Sequence, residues 1–447
     1  MSEEFSSIYW ENDSPSNPPP ATLTHDVPDT TTSNGFFEAM PLNEPSSSSS
    51  SGLKAIQDTS FIHSSVTNPQ KEQEGSQNAY ISYLITTESN NPTFESTTFH
   101  VRRRFSDFHF LYTILYLEHP TTAVPPLPDK ARLEYIKGDR FGLEFTLKRA
   151  GSLNRFLDRI SNHPILRNST TYHNFLETHD WNAFKKSLNI RYQQVLQDNG
   201  SVLEGLSDSL LNAFAKVNKP DDELLEIKER IDKLDDNLLQ VEKSFSKVLR
   251  RQADISNDLE EFSQYFIKLS GLESNIEGVL TSFAGGTHNM SQKLFCLKET
   301  TDIDYVVSLR DMQNYVAALR ALVKLREQKQ LDLEALGDYL AKAKYEKDSL
   351  LSGNGATNFL RAKIEDVRGV NHELARKERL ANLETKIQSL QDEVRNVEQS
   401  NASFQEILLN EVQIFEQNKQ IEMKKTLSTL ADANIAFYQS IIDEWKF

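Results

Sequence analysis

The feature that most constrains the fold is a long heptad pattern in the second half of the chain. Apolar residues recur there at separations of three, four or seven positions, which is the spacing of one face of a coiled-coil helix. The pattern predicts a single helix of about fifty residues, about 70 Å long at roughly 1.5 Å per residue. Its members are Leu224, Ile227, Ile231, Leu234, Leu238, Val241, Phe245, Val248, Ile255, Leu259, Phe262, Phe266 and Leu269.

Glycines divide the rest of this half into further helices. Gly285 and Gly286 are predicted to break the first helix, and a second helix is predicted from about Asp302 to Leu351. Gly353 and Gly355 are predicted to end the second helix, because glycine is unfavourable inside a helix. A third helix toward the C-terminal end is predicted from Leu380, Leu383, Ile387, Leu390, Val394 and Val397.

Residues 221–447 are therefore predicted to form an all-α, elongated three-helix coiled-coil domain. One copy would leave much of its apolar stripe exposed to water, so we expect a dimer. Basic residues near the predicted junction of the second and third helices could contact anionic lipid, or could form a salt-bridged, solvated face with the acids among them. They are Lys342, Lys344, Lys347, Arg361, Lys363, Arg368, Arg376, Lys377 and Arg379.

Charge is distributed unevenly along the chain. The formal net charge is −16, but residues 1–58 hold nine acids against one lysine. This segment also contains Pro18 to Pro20 and a serine run from Ser46 to Ser51, so we predict a disordered, acidic tail. Residues 101–160 hold eleven Lys/Arg against seven Asp/Glu. The net negative charge of the whole chain argues against general nucleic-acid binding. It does not exclude a local basic pocket within residues 101–160.

The sequence pattern of residues 59–180 is typical of an α+β domain. Alternating β-branched and aromatic residues at 80–86 and 97–101 predict strands, and apolar recurrence at 108–117 and 145–160 predicts helices. Between the helices, residues 125–128 are proline-rich and predict an extended crossing. The pattern predicts a small three-stranded antiparallel sheet backed by helices.

Residues 181–220 are predicted to form a linker that contains an amphipathic helix. Its apolar face could insert into the surface of a bilayer or could pack on neighbouring helices, and the sequence leaves both open. The face comprises Val202, Leu203, Leu206, Leu210, Phe214 and Val217.

Three separated cations and an aromatic residue suit a phosphorylated inositol ring. An arginine can grip a phosphate with two parallel hydrogen bonds, a lysine supplies a compact charge, and an aromatic ring supports the sugar carbons. The triplet Arg102 to Arg104 precedes Phe105, and Lys130 and Arg149 follow in separate elements. Considered alone, the triplet could also be a solvated strand end or a localisation signal. Arg102 and Arg103 are interpreted as general electrostatic support.

These motifs resemble a phox-homology (PX) domain, and with the helical unit behind it the chain resembles a sorting nexin with a BAR domain. The resemblance covers residues 59–447. It implies that Arg104 binds a 3-phosphate, that Phe105 lies under the inositol ring and that Lys130 contacts the 1-phosphate. It further implies that Arg149 binds two ring hydroxyls. Leu133, Tyr135 and Ile136 are implied candidates for membrane insertion, although they could equally belong to the local core.

The resemblance implies a function as well as a fold. The expected ligand is phosphatidylinositol 3-phosphate, and the expected location is the cytosol and, peripherally, the membranes of endosomes and of the pre-autophagosomal structure. The expected partner is a second copy or another PX-BAR sorting nexin. The implied roles are curvature-dependent sorting of cargo from endosomes to the Golgi and selective autophagy. An alternative from another class is a coiled-coil tether whose N-terminal domain binds a protein.

The sequence lacks the common catalytic and cofactor-binding motifs. It contains no GxxxxGK[ST] loop, HExxH or GxSxG motif, so no enzyme activity, cofactor, metal or small-molecule substrate is predicted. The single cysteine, Cys296, cannot form an internal disulfide. No apolar run approaches the ~18 residues of a membrane span, so membrane attachment is expected to be peripheral.

Overall fold

A computed structural model describes residues 60–74, 79–128, 141–198, 222–352 and 372–446. The predicted acidic tail, the amphipathic face at 202–217 and the glycines at 353 and 355 lie outside the described residues. Residues 59–447 form one compact unit.

The sheet has the predicted three antiparallel strands, in the order β1 (Ile62–Glu72), β2 (Tyr80–Ser89) and β3 (Thr98–Arg104). The register of β1 against β2 shifts between Thr67 and Gln70, and Asn68 has a φ of 46° there. Such a bulge bends a strand locally. The arginine triplet forms the end of β3, as the sequence predicted.

Four α-helices complete this domain within its described residues. They are α1 (Phe105–Glu118), α2 (Leu143–Asn162), α3 (Thr170–Glu177) and α4 (Trp181–Asp198). A short 3₁₀ turn at Leu166–Asn168 precedes α3. The helices bury one apolar face against the sheet, and the resulting core includes Tyr83, Phe108, Phe156, Phe175 and Trp181.

The helical region consists of long rods. Helix α5 (Asp222–Ser270) has 49 residues, as the heptad predicted. It is followed by α6 (Glu277–Thr300), a π-helical turn at Thr301–Val306, α7 (Val307–Ser352) and α8 (His372–Glu444). Helices α6 and α7 continue through the π turn as one rod, so the described part of this region contains three long rods. Its core includes Leu238, Tyr315, Leu319, Leu408 and Phe415.

The prediction that Gly285 and Gly286 break the helix was wrong. Both lie inside α6, and the chain turns instead at 271–276. A Cβ atom added to Gly286 would lie 3.2 Å from the ring of Trp445. Glycine at this position therefore permits close packing of the end of α8 against α6. The second rod consequently begins at Glu277 rather than near Asp302.

Helix α2 connects the sheet domain to the rods through a row of ion pairs. Basic residues on α2 reach acids on the π turn, on α7 and on α8. The contacts are Lys148 Nζ to Asp302 Oδ2 at 2.6 Å, Arg155 Nε to Asp311 Oδ2 at 2.7 Å and Arg159 Nε to Glu422 Oε1 at 2.7 Å.

A buried pair lies at the end of the same row. His163 Nε2 is 3.1 Å from Glu411 Oε1, and the side chains are 0% and 2% exposed. The backbone N–H of Ala123 also donates to Glu411, at 2.9 Å. The N–H groups of Ile165 and Leu166 donate to His163 Nδ1, so Nε2 carries the proton and donates to the carboxylate. The two domains thus contact each other through satisfied polar groups.

Candidate functional site

The arginine triplet divides between the two faces of the sheet. Strand residues alternate in direction, so Arg103 points to the same side as buried Val101, and Arg102 and Arg104 point to the other. In the register with β2, Arg104 lies opposite Ser82 and Arg103 opposite Tyr83.

Arg103 is a structural residue, so its interpretation as electrostatic support was wrong. It is 4% exposed, and its guanidinium donates to the carbonyl oxygens of Phe175, at 3.0 Å, and Thr178. Its guanidinium carbon also lies 5.2 Å from the Trp181 ring. Burial lowers the pKa of Arg103 to about 10, while the charge of Asp107 acts in the opposite direction. Arg103 therefore ties β3 to the end of α3 and the start of α4.

Arg102 also makes contacts within the protein. Its guanidinium donates to Ser82 Oγ at 2.9 Å and to the Asn68 carbonyl at 3.0 Å. A longer ion pair of 3.8 Å joins it to Glu72. These contacts brace the β1–β2 hairpin at its bulge, so Arg102 has a structural role in addition to its charge, since 31% of its side chain is exposed.

Arg104 is the exposed member of the triplet, with 46% of its side chain accessible. Its Nε lies 3.8 Å from Asp107 Oδ1, and its guanidinium carbon is 5.4 Å from the Tyr80 ring centroid. The backbone N–H of Arg104 donates to Asp107 Oδ2 at 3.0 Å, which caps the first turn of α1. A fixed backbone with an exposed guanidinium is suited to binding an anion.

Phe105 and Arg149, to which the resemblance gave separate roles in one ligand site, lie together. The Arg149 guanidinium carbon is 4.5 Å from the Phe105 ring centroid and 4.4 Å from that of Phe145. Burial lowers the pKa of Arg149, and Tyr83 opposes this shift. Stacking on aromatic rings fixes the plane of the guanidinium, and the hydrogen-bond donors of arginine lie in that plane. Because Phe105 follows Arg104 directly, α1 and α2 bring these side chains to one end of the sheet.

The remaining predicted site residues lie outside the described residues. These are Lys130, Leu133, Tyr135 and Ile136, between the proline-rich crossing and α2. The described chain re-enters at Phe141, whose ring centroid is 5.0 Å from Lys71 Nζ.

Sequence reasoning missed several residues around the site. Phe145 and Tyr83 fit the sequence pattern of ordinary core residues, so nothing in that pattern distinguished them from residues without a role at the site. Lys185 on α4 pairs with Asp107 at 2.6 Å across 78 positions of sequence. No local spacing could have indicated that contact.

The described ranges contain neither a candidate membrane span nor a candidate metal site. None of the helices there is long and apolar enough to cross a membrane. The same part of the chain contains no group of three or more His, Cys, Asp or Glu side chains that could hold a metal ion.

Comparisons with known proteins give the family. Residues 91–179 match the PX domain family. The sorting nexin-4 of Gibberella zeae is 44% identical over 391 residues, which cover 86% of this chain and 85% of that protein. The chain belongs to the sorting nexin-4 family. The Saccharomyces cerevisiae sorting nexin-4 is 38% identical over 393 residues, covering 85% of this chain and 91% of that protein.

A solved structure supports the same architecture for this sorting nexin-4 family member. The cryo-EM structure of the SNX-BAR Mvp1 tetramer aligns with a TM-score of 0.53 at 17% identity, covering 86% of this chain and 98% of that one. At this identity the likeness shows the fold alone, a PX domain followed by a BAR-type helical region. The protein is thus a membrane-associated sorting nexin, and neither the matched domain nor the relatives indicate an enzyme.

Proposed function

We propose that the protein binds phosphatidylinositol 3-phosphate on endosomal membranes and, as a dimer, senses or generates curvature to sort cargo toward the Golgi, with a role in selective autophagy. Two observations carry this proposal: the guanidinium of Arg104 is exposed, and Phe105, the next residue in the chain, stacks with Arg149. The PX family match supports a phosphoinositide as the ligand class.

Each side chain has a defined task in this proposal. Arg104 binds the 3-phosphate, because a charge-assisted bond from a guanidinium is strong and directional. Phe105 contacts the sugar carbons, and Arg149 donates to two ring hydroxyls. Lys130 binds the 1-phosphate from the segment that precedes α2. Leu133, Tyr135 and Ile136 enter the bilayer beside the site.

The proposed domain arrangement assigns one role to each part of the chain. Residues 59–180 form the lipid-binding PX domain, and residues 221–447 form the BAR domain for dimerisation and curvature. Residues 1–58 act as an acidic, disordered tail. Residues 181–220 act as an amphipathic linker, which could insert into the membrane surface or pack on its neighbours.

A row of exposed apolar side chains on α5 supports dimerisation. Its members are each seven positions apart, so they form a straight seam along one face of the helix. A monomer seldom exposes such a row, and a second BAR surface would cover it. The row comprises Val241, Val248, Ile255, Phe262 and Leu269, which are 38% to 50% exposed. Helix α8 adds Ile421, Leu427, Ile435, Tyr438 and Ile442, which are also exposed.

The basic cluster near the α7–α8 junction is partly engaged within the protein. Arg376 donates to the carbonyl oxygen of Leu350 at 2.6 Å, which caps the end of α7. Lys347 pairs with Glu384 at 2.8 Å. Lys342 and Lys344 are exposed. In this proposal they contribute more than Arg376 to the electrostatic attraction of the protein to anionic lipid. Arg361, Lys363 and Arg368 lie outside the described residues.

Liposome flotation with the full chain tests the proposal. Arg104→Ala is expected to abolish association with vesicles that contain phosphatidylinositol 3-phosphate, while circular dichroism and dimer mass stay unchanged. Arg395→Ala is the matched control, because this arginine is 75% exposed and lies on α8. Equal flotation of the Arg104→Ala variant and the control would reject the proposal and favour the protein-binding tether.

A further inference from the structure

The carboxylate of Asp107 pairs with two cations, Lys185 and Arg104, and also interacts electrostatically with buried Arg103. Its Oδ1 atom is 2.6 Å from Lys185 Nζ and 3.8 Å from Arg104 Nε. The side chains of Asp107 and Lys185 are 10% and 16% exposed, whereas that of Arg104 is 46% exposed. Lys185 thus forms the short ion pair with the Asp107 carboxylate, and Arg104 forms only a long one.

Asp107 cannot simply move away from Arg104. Its other oxygen, Oδ2, accepts the backbone N–H of Arg104 in the first turn of α1, at 3.0 Å. The carboxylate therefore stays beside the Arg104 side chain whether or not Lys185 is present. Without Lys185, its negative charge would attract the Arg104 guanidinium, and a phosphate would have to displace it.

We propose that Lys185 is a positioning residue: by neutralising Asp107, it keeps the Arg104 guanidinium available to a phosphate group. This inference rests on the proposed function, because it assumes that Arg104 contacts the phosphorylated headgroup. It assigns a role in ligand affinity to a lysine that lies outside the strand and the two helices that build the site.

Helix α4 holds Lys185 in a defined place. Trp181 at its start is 4% exposed and packs edge-on against Phe175, with ring centroids 5.3 Å apart. The Trp181 ring also stacks with Phe184, immediately before Lys185, at 5.4 Å. Affinity for the headgroup consequently depends on the docking of α4 against the sheet domain.

The test uses the full chain and a soluble, short-chain phosphatidylinositol 3-phosphate, with affinity measured by titration calorimetry. Lys185→Ala is expected to weaken binding by about threefold to tenfold, the change for one altered ion pair. Lys186→Ala is the matched control, because Lys186 is exposed on the same helix, and a change below about twofold is expected. Lys185→Arg retains the cation and is expected to restore binding.

An Asp107→Asn background separates positioning from a merely structural role. Asparagine can still accept the Arg104 N–H, but it carries no charge that could capture the guanidinium. Lys185→Ala should then have little effect on affinity, and thermal unfolding should confirm that all variants are folded. An undiminished effect in this background, or equal affinities of Lys185→Ala and Lys186→Ala, would overturn the proposal.

Arg104→Ala in the same titration identifies which idea has failed. If this variant binds the probe as tightly as the parent, the proposed function itself is wrong. If it loses binding while Lys185→Ala matches its control, only the positioning role is wrong.

Discussion

Arg159 and Glu422 form a two-point ion pair, with Nε 2.7 Å from Oε1 and Nη2 2.8 Å from Oε2. Arg159 lies on α2 of the PX domain and is 1% exposed, whereas Glu422 lies on α8. Arg159 Nη1 also donates to the carbonyl oxygen of Asp311 on α7, at 3.0 Å. Because α2 also carries Arg149, the candidate lipid site and the helical rods share one rigid element.

Arg159→Met is expected to destabilise the protein by about 3 to 5 kcal/mol, because it leaves the Glu422 carboxylate without its buried partner. Urea unfolding of the full chain measures the change. The double variant Arg159→Met with Glu422→Met should lose less stability than the single variant, since it leaves no unpaired carboxylate in the contact. Arg395→Met serves as the exposed control. A single variant as stable as this control would show that the pair does not hold the domains together.

Gly286→Ala is expected to be less stable than Gly285→Ala, although the two glycines are adjacent on α6. A methyl group at 286 would meet the Trp445 ring at 3.2 Å, whereas one at 285 has nothing within 4 Å. Alanine at 285 should stabilise the helix by about 0.5–1 kcal/mol, and crowding at 286 should cost about 1 to 3 kcal/mol. Urea midpoints measure both, and equal midpoints would argue against close packing of Trp445 on α6.

Phe262→Glu is expected to break the dimer, because it places a charge within the exposed apolar row on α5. Light scattering on the complex purified from cells should then show the mass of single chains. Vesicle binding should weaken by at least about tenfold, since two linked sites gain avidity, while affinity for a soluble headgroup stays the same. Tyr339→Glu, at an exposed site outside the row, is the control. A dimer that survives Phe262→Glu would place the interface elsewhere.

His173 should make the PX domain less stable as pH falls. Burial lowers the pKa of His173 below its usual 6.5, and its Nε2–H donates to the Arg167 carbonyl at 2.7 Å. Below about pH 6.5 the unfolded chain therefore binds a proton that the folded chain does not, so the free energy of unfolding decreases until the folded-state pKa is reached. His173→Gln should reduce this slope in unfolding experiments between pH 7 and pH 5, and an unchanged slope would assign it to other groups.

Local patterns predicted the elements of this fold well. The heptad at 224–269 corresponds to α5, and the alternation at 80–86 lies within β2. Periodicity predicts these elements because each of them buries one face, and the apolar residues of that face recur in the sequence at the period of a helix or a strand. The same reasoning failed at Gly286, where a helix tolerates the modest cost of glycine because Trp445 packs closely against it.

The site was less accessible to sequence reasoning. Family resemblance assigned Phe105 and Arg149 to one ligand site, and in the structure these two side chains are stacked. The sequence alone led to an interpretation of Arg102 and Arg103 as general electrostatic support, although strand alternation turns Arg103 into the core and the hairpin engages Arg102.

By itself, the sequence determined the type and approximate limits of the strongly periodic elements, such as β2 and α5, since helix and strand formation depend on residues a few positions apart. It misplaced the start of the second rod and did not locate β1, α3 or α4. Only the tertiary structure decided which charges meet. Asp107 and Lys185 are 78 positions apart, and Arg159 and Glu422 are 263 positions apart. Such pairs arise only after the elements pack, because burial and distance then select one partner among many carboxylates and cations.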